Sequence, residues 1–246
     1  MLQNLRNAFP EKTAEEIHLI SKKFYRYLCD LFLETFKTLT ISKESMLKHC
    51  SMDPAATELF NKLADENKSI IIVMGHQGNW EWAGNTFSLS CRHQLYVIYH
   101  PISNKYLDGL MYKMRTTFGT KLIPMKDTFR DMITNRQQLT ATAFIADQTP
   151  QPDRAYWLTF LNQDTPVFMG TEKIARKIKY PIVYTTVKRI KRGYYSLHAE
   201  LLLTPPYLSA DGDISAVYTK KLEEDIYKQP ETWLWTHRRW KHKRPL

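Results

Sequence analysis

The sequence predicts an α/β fold: a single domain with a mixed, mostly parallel β-sheet covered by helices and preceded by a helical N-terminal segment. Three observations predict it. Apolar residues recur every three or four positions through the first part of the chain. From Ser69 onward, short β-branched runs alternate with helical stretches. No repeat, low-complexity linker or composition break divides the 246 residues. The composition, 43% hydrophobic and 24% charged, is that of a globular protein. A chain of this length buries enough apolar surface to fold without disulfides or a structural metal. The expected organisation is one unit over 1–246, with a helical segment at 1–66 and an α/β core at 67–246 ending in a basic tail.

Taken in order, Pro10 stands just before a long helical stretch in which Ile17, Ile20, Phe24, Leu28, Leu31 and Phe32 mark one apolar face, with Lys22, Lys23 and Arg26 mainly off it. The preferred reading is a helix packed on the core with a solvated basic side. The other is a helix lying on anionic lipid. Asp53 and Pro54 read as the start of a further helix. Strands are expected at 69–74 (SIIIVM), 94–100, 121–125, 140–146, 181–190 and 195–203, and helices at 104–118, 127–138, 170–179 and 213–227. In such sheets ligand sites collect where strands end and helices begin.

Cys29, Cys50 and Cys91 are odd in number and lack the short paired spacings of a zinc site, so they read as reduced thiols. The net charge of +10 favours anionic partners: nucleic acid, anionic lipid or an acidic carrier protein. No signal segment opens the sequence, and its longest apolar runs are strand-sized, well short of the ~20 residues a spanning helix needs. Membrane contact is therefore expected to be peripheral, unless the native protein extends upstream of Met1.

The chemistry concentrates in IIIVMGHQGNWEWAG, where a buried strand gives way to a glycine-flanked turn and a helix start at Asn79. His76, at the strand end, is suited to taking a proton from a hydroxyl. Glu81, five residues on, is expected to bond one ring nitrogen and leave the other as the base, a triad whose nucleophile comes from the substrate. The same spacing also arises by chance in ordinary strand ends.

The chain resembles the lysophospholipid acyltransferase superfamily and, within it, the late acyltransferases of lipid A biosynthesis. HQGNWE is close to that branch's form of the first motif. LRNAFPEKTAEE, HPISNKYLDGLMYKMRTTFG, IADQTPQPD, TPVFMGTEKIARKIKYPIV and PETWLWTHRRWKHKRP are similar to further segments of it, in the same order. The resemblance implies a glycerol-3-phosphate acyltransferase-like fold and an acyl transfer from a thioester, on acyl carrier protein or coenzyme A, to a hydroxyl of a membrane glycolipid, most nearly a lipid A precursor. It implies His76 and Glu81 as catalytic residues and Gly78, Asn79, Arg115, Asp147, Gln148 and Gly170 as substrate-binding ones, Gly170 near the acyl pocket. Arg115 would meet lipid phosphate or the developing oxyanion; a surface salt bridge is its other reading. The pair Asp147 and Gln148 reads equally as a capped loop start.

No metal and no cofactor beyond the thioester co-substrate is called for, and nucleic acid is not expected as a partner. Arg238, Arg239 and Lys241 of the basic tail would face phosphate headgroups or the acidic carrier, with Trp233 and Trp235 buried behind them. The implied place of work is the cytoplasmic face of a bacterial inner membrane. Two departures stand out. The sequence starts just after the position of the branch's usual membrane helix, and Phe160, Leu161 and Asn162 replace its aromatic pair and glycine. A lysophospholipid or amino-acid-lipid acceptor, or hydrolysis by an esterase or thioesterase using the same pair, is the alternative outcome.

Overall fold

The computed structural model describes residues 1–244, apart from the side chain of Arg154. Helix α1 (Leu2–Ala8) leads into α2 (Ala14–Lys37), which opens with a capping box: the Thr13 hydroxyl accepts from the Glu16 amide and the Glu16 carboxylate accepts from the Thr13 amide. Ile17, Ile20, Phe24, Tyr27 and Leu31 of α2 are buried, and Asp30 ties the helix to Arg189 and Arg192. The helix thus packs on the core. Phe32, expected on its apolar face, is 60% exposed, because the face turns toward Glu34 and away from Phe32 as 3.6-residue turns accumulate.

Next come α3 (Lys43–His49), β1 (Cys50–Met52), α4 (Pro54–Asp65), β2 (Ile70–Met74), α5 (Trp80–Ser90), β3 (Gln94–Tyr99), α6 (Lys105–Thr116), β4 (Lys121–Pro124), α7 (Thr128–Thr134) and β5 (Thr140–Ile145). An antiparallel hairpin, β6 (Ala155–Phe160) and β7 (Gln163–Phe168), follows, then α8 (Gly170–Ile178), β8 (Ile182–Lys191), β9 (Tyr194–Leu203) and α9 (Asp213–Lys228). Seven strands form one sheet in the order β1-β9-β8-β2-β5-β3-β4, parallel except for the β8–β9 pair. This is the predicted mixed, mostly parallel sheet. The central strands β2 and β5 are buried on both faces, as helix-covered parallel strands must be.

Two elements went unpredicted. β1 lies inside the segment expected to be helical and pairs in parallel with β9. The β6–β7 hairpin turns through Leu161 and Asn162, both at positive φ (51° and 59°). Such a two-residue turn usually advertises itself as Asn-Gly; here a buried Leu161 occupies it, held by its amide donating to Glu223.

Two apolar layers sandwich the sheet. On one face Ile70, Ile72, Ala141, Ala143, Leu95 and Val183 pack under α4 and α5. On the other, Ile71, Val73, Phe144, Ala146, Ile182 and Tyr184 pack under α1, α2, α8 and α9, with Trp233 and Trp235. Because β2, β3, β4 and β5 run parallel, their C-terminal ends lie along one edge, and the functional residues gather there.

Candidate active site

His76 sits two residues beyond the end of β2, and Asp147 two residues beyond the end of β5. The register pairs Met74 with Ile145, so equal offsets bring the two side chains together. His76 Nδ1 lies 2.5 Å from Asp147 Oδ1, the His76 backbone amide donates to Oδ2 at 2.8 Å, and the buried indole of Trp233 donates to the same oxygen at 2.8 Å. Burial pushes the Asp147 carboxyl up, but His76 and these donors outweigh it and bring the pKa down to about 2. A carboxylate is acceptor only, so Nδ1 carries a hydrogen, and in the neutral imidazole the lone pair lies on Nε2. His76 stays partly exposed, its ring edge-on to Trp80 at 5.0 Å between centroids.

The turn is clamped from behind by the C-terminal segment. Gly78 N donates to Thr232 O, Leu234 N donates to His76 O, and Gln77 Nε2 donates to Asp225 O. Asn79 caps α5 as expected: its Oδ1 accepts from the Trp82 amide, while Nδ2 donates to the buried Glu34. Burial, ahead of every other influence, raises the pKa of Glu34, which also accepts from the Tyr195 hydroxyl.

Several sequence expectations are corrected here. Glu81 does not bond His76: from the first turn of α5 it holds Arg115 of α6 instead, through Nε at 2.9 Å and Nη2 at 2.6 Å. Helix geometry explains this, because Glu81, five residues after His76 and second in α5, projects from the face of α5 that meets α6. The pair keeps the pKa of Arg115 above its ordinary value even though burial opposes it. Gly78 and Asn79, expected against substrate, are buried in the scaffold. Gly78 has φ +60°, and a Cβ there would meet Val187 O at 2.1 Å. Arg239, expected at a membrane or carrier surface, is 1% exposed: its Nη1 donates to Gln148 O and Pro166 O and its guanidinium lies over Phe160. Burial lowers its pKa to about 10. Arg238 and Lys241 are exposed, and Trp233 and Trp235 are buried as expected.

A cavity of about 300 Å³ opens beside His76 and runs between the sheet and α5. Trp80, Glu81, Arg115 and Gln148 line its head; Ile72, Phe87, Leu95, Val97, Ala143 and Leu197 line its depth. Gly170 lies apart from it, in a smaller apolar cleft. The sequence reading missed Asp147 as the partner of His76 and Trp233 as the donor that fixes Asp147. The signal for the first was present, since two buried runs of similar length each end two residues before a polar side chain.

A histidine backed by a buried carboxylate at the mouth of a mostly apolar cavity, at the strand ends of an α/β sheet, is the arrangement of a candidate acid–base enzyme acting on an apolar substrate. The family model of the bacterial lipid A biosynthesis acyltransferases matches residues 1–242, and the chain belongs to that family. It is 22% identical to the lipid A biosynthesis palmitoleoyltransferase of Escherichia coli K12 over 97% of its own length and 77% of the relative's. The same figures hold for a lipid A biosynthesis acyltransferase of Shigella flexneri. The chain is thus an acyltransferase of lipid A biosynthesis. No helix among the described residues is long and apolar enough to cross a membrane.

Proposed function

We propose that the chain moves a fatty acyl group from an acyl carrier protein or coenzyme A thioester to a hydroxyl of a lipid A precursor, with His76 as general base and Asp147 as the carboxylate that orients it. The position of the His76–Asp147 pair at the head of the apolar cavity carries this reading. His76 Nε2 takes the proton of the acceptor hydroxyl, and the oxygen attacks the thioester carbonyl while the acyl chain lies in the cavity. Ionised Asp147 stabilises the imidazolium that forms. Collapse of the tetrahedral oxyanion expels the thiolate, which recovers the proton from His76. General-base assistance of this kind is worth roughly 10²–10⁴ in rate.

Arg115 supports the anionic side of the reaction. Glu81 engages its Nε and Nη2, and the side chain lines the cavity head, where it can meet an acceptor phosphate or the oxyanion. A well-placed donor to the oxyanion contributes about 3 kcal/mol. In this reading Glu81 is a positioning residue for Arg115.

The enzyme works at a membrane surface through the rim of this cavity. Ile102, Tyr106, Leu107, Met125 and Phe129 are exposed on the segments that follow β3 and β4, at the same sheet edge as His76, with Lys105, Lys113 and Lys126 exposed among them. Incubation with radiolabelled acyl-carrier thioester and a lipid A precursor tests the reaction. Label in the lipid is the expected result; label only in free fatty acid would mean a thioesterase.

A further inference from the structure

The smaller cleft is lined by Ile98, Thr128, Phe144, Phe168, Gly170 and Ile174, encloses about 160 Å³, and shares Ile98, Met125 and Ile145 with the main cavity. The main cavity lies mainly on the α5 face of the sheet and the cleft mainly on the other, and they meet at these shared residues. Side chains alternate along a strand: Ala143 of β5 and Leu95 and Val97 of β3 face the α5 side and line the main cavity alone, Phe144 faces the other side and lines the cleft alone, and Ile98 and Ile145, near the strand ends, border both. The spaces converge at the C-terminal ends of β3 and β5, next to the strand end that carries His76.

We infer that the cleft binds an alkyl chain already present on the acceptor lipid, so that donor and acceptor chains lie on opposite faces of the sheet with the reacting hydroxyl between them. The inference rests on the acyl-transfer reading above and adds a second subsite to it. Its lining is almost wholly apolar, which suits a hydrocarbon and gives a sugar or phosphate nothing to bond. Its continuity with the main cavity ties it to the reaction: a chain in the cleft reaches the shared wall of Met125 and Ile145 from the side opposite the donor. Lys177, stacked over Phe129 at 5.2 Å, places a cation near α7 and α8 for an anionic headgroup.

Gly170 makes the test clean. A Cβ there meets nothing within 4 Å, and its φ lies outside the left-handed region, so a larger side chain at this exposed edge of the cleft brings neither clash nor backbone strain. Gly170→Leu is expected to raise the KM for a lipid A precursor by about tenfold, the loss of roughly two buried methylenes, and to leave the preferred donor chain length unchanged across a ladder of acyl thioesters. Ile174→Phe should act in the same direction. A shift in donor chain-length preference, or no change in either quantity, would overturn the inference. Quenching of tryptophan fluorescence by a doxyl-labelled fatty alcohol provides a readout independent of turnover. The wild-type protein should show two saturable sites, one removed by Gly170→Leu and the other by Gly84→Leu, which fills the main cavity beside Leu95. If no acyl transfer occurs but two sites titrate, the transfer reading fails and the second alkyl subsite stands. A single site sensitive only to Gly84→Leu refutes the subsite itself.

Discussion

Asp147 accepts three N–H donors and has no proton of its own to give, so its replacement separates charge from shape. Asp147→Asn keeps the volume but offers His76 an amide, which can present either a donor or an acceptor to Nδ1 and no longer stabilises an imidazolium. Steady-state assays should show kcat falling by about 10³–10⁴ with acceptor KM nearly constant, as for an orienting carboxylate in a hydroxyl-activating triad. His76→Ala should cost a similar factor, and the double variant little more. Glu81→Gln has a different signature: the neutral amide frees Arg115, acceptor KM rises, and kcat falls less than in Asp147→Asn. If Glu81→Gln matched His76→Ala in kcat while Asp147→Asn stayed near normal, Glu81 would be the orienting group after all. His76 was legible in the sequence because the glycine turn and the strand before it are local. Its partner was marked only by the matching offsets of two buried runs, since Asp147 is brought in by the pairing of strands distant in sequence, and a contiguous motif made Glu81 the nearer choice.

Elements tell a similar story. Long amphipathic or β-branched stretches declared themselves: α2 follows Pro10 as expected, and β2, β5, α8 and α9 lie close to their expected bounds. The β6–β7 hairpin did not, since its turn carries Leu161 where glycine or asparagine would have marked it, and α7 ends at Thr134, short of the expected 138, where Asn135 bonds back to Asp131. Nor could local pattern foresee that α9 starts on a buried carboxylate of another helix. Glu172 of α8 accepts from the amides of Gly212 and Ser215 and from the Ser215 hydroxyl, and pairs with Arg176. Burial pushes its pKa up, but these donors outweigh it and hold the carboxyl below its ordinary value. The stability it contributes is therefore present above the unfolded carboxylate value of ~4.3 and lost as pH falls through the lower folded value. Glu172→Gln should be less stable than wild type by roughly 2–3 kcal/mol in urea melts at neutral pH, and the gap should close in acid. Gly78→Ala tests the scaffold of the site. With φ +60° and Val187 O in the way, it should lose roughly 2–4 kcal/mol.

At the scale of the whole molecule, the parallel strands place His76, Asp147, both apolar spaces and the exposed rim on one edge, so the proposed chemistry and the proposed membrane contact share a side. The competing surface is the outer face of α2, where Phe32, Leu33 and Phe36 are 60%, 68% and 47% exposed. That helix also exposes Lys22, Lys23, Arg26 and Lys37, so charge does not separate the two surfaces; what does is that the rim adjoins the spaces a lipid chain must enter, and a chain leaving a bilayer at the rim never crosses open water. Burying an exposed leucine or phenylalanine in the interface is worth roughly 1.5–3 kcal/mol. Leu107→Ser with Phe129→Ser should therefore lower partition onto phosphatidylglycerol vesicles by tenfold or more, as measured by co-sedimentation. Phe32→Ser with Leu33→Ser should change it by less than about twofold. Salt should weaken binding further through Lys105, Lys113 and Lys126, since headgroup attraction decays within a Debye length of about 8–10 Å. The rim variant should also lose transfer to vesicle-embedded acceptor while retaining it toward acceptor dispersed in detergent, because the His76–Asp147 pair is untouched. Equal loss in both media would place Leu107 and Phe129 in substrate binding rather than docking, and a larger loss of partition from the α2 variant would move the membrane face to that helix.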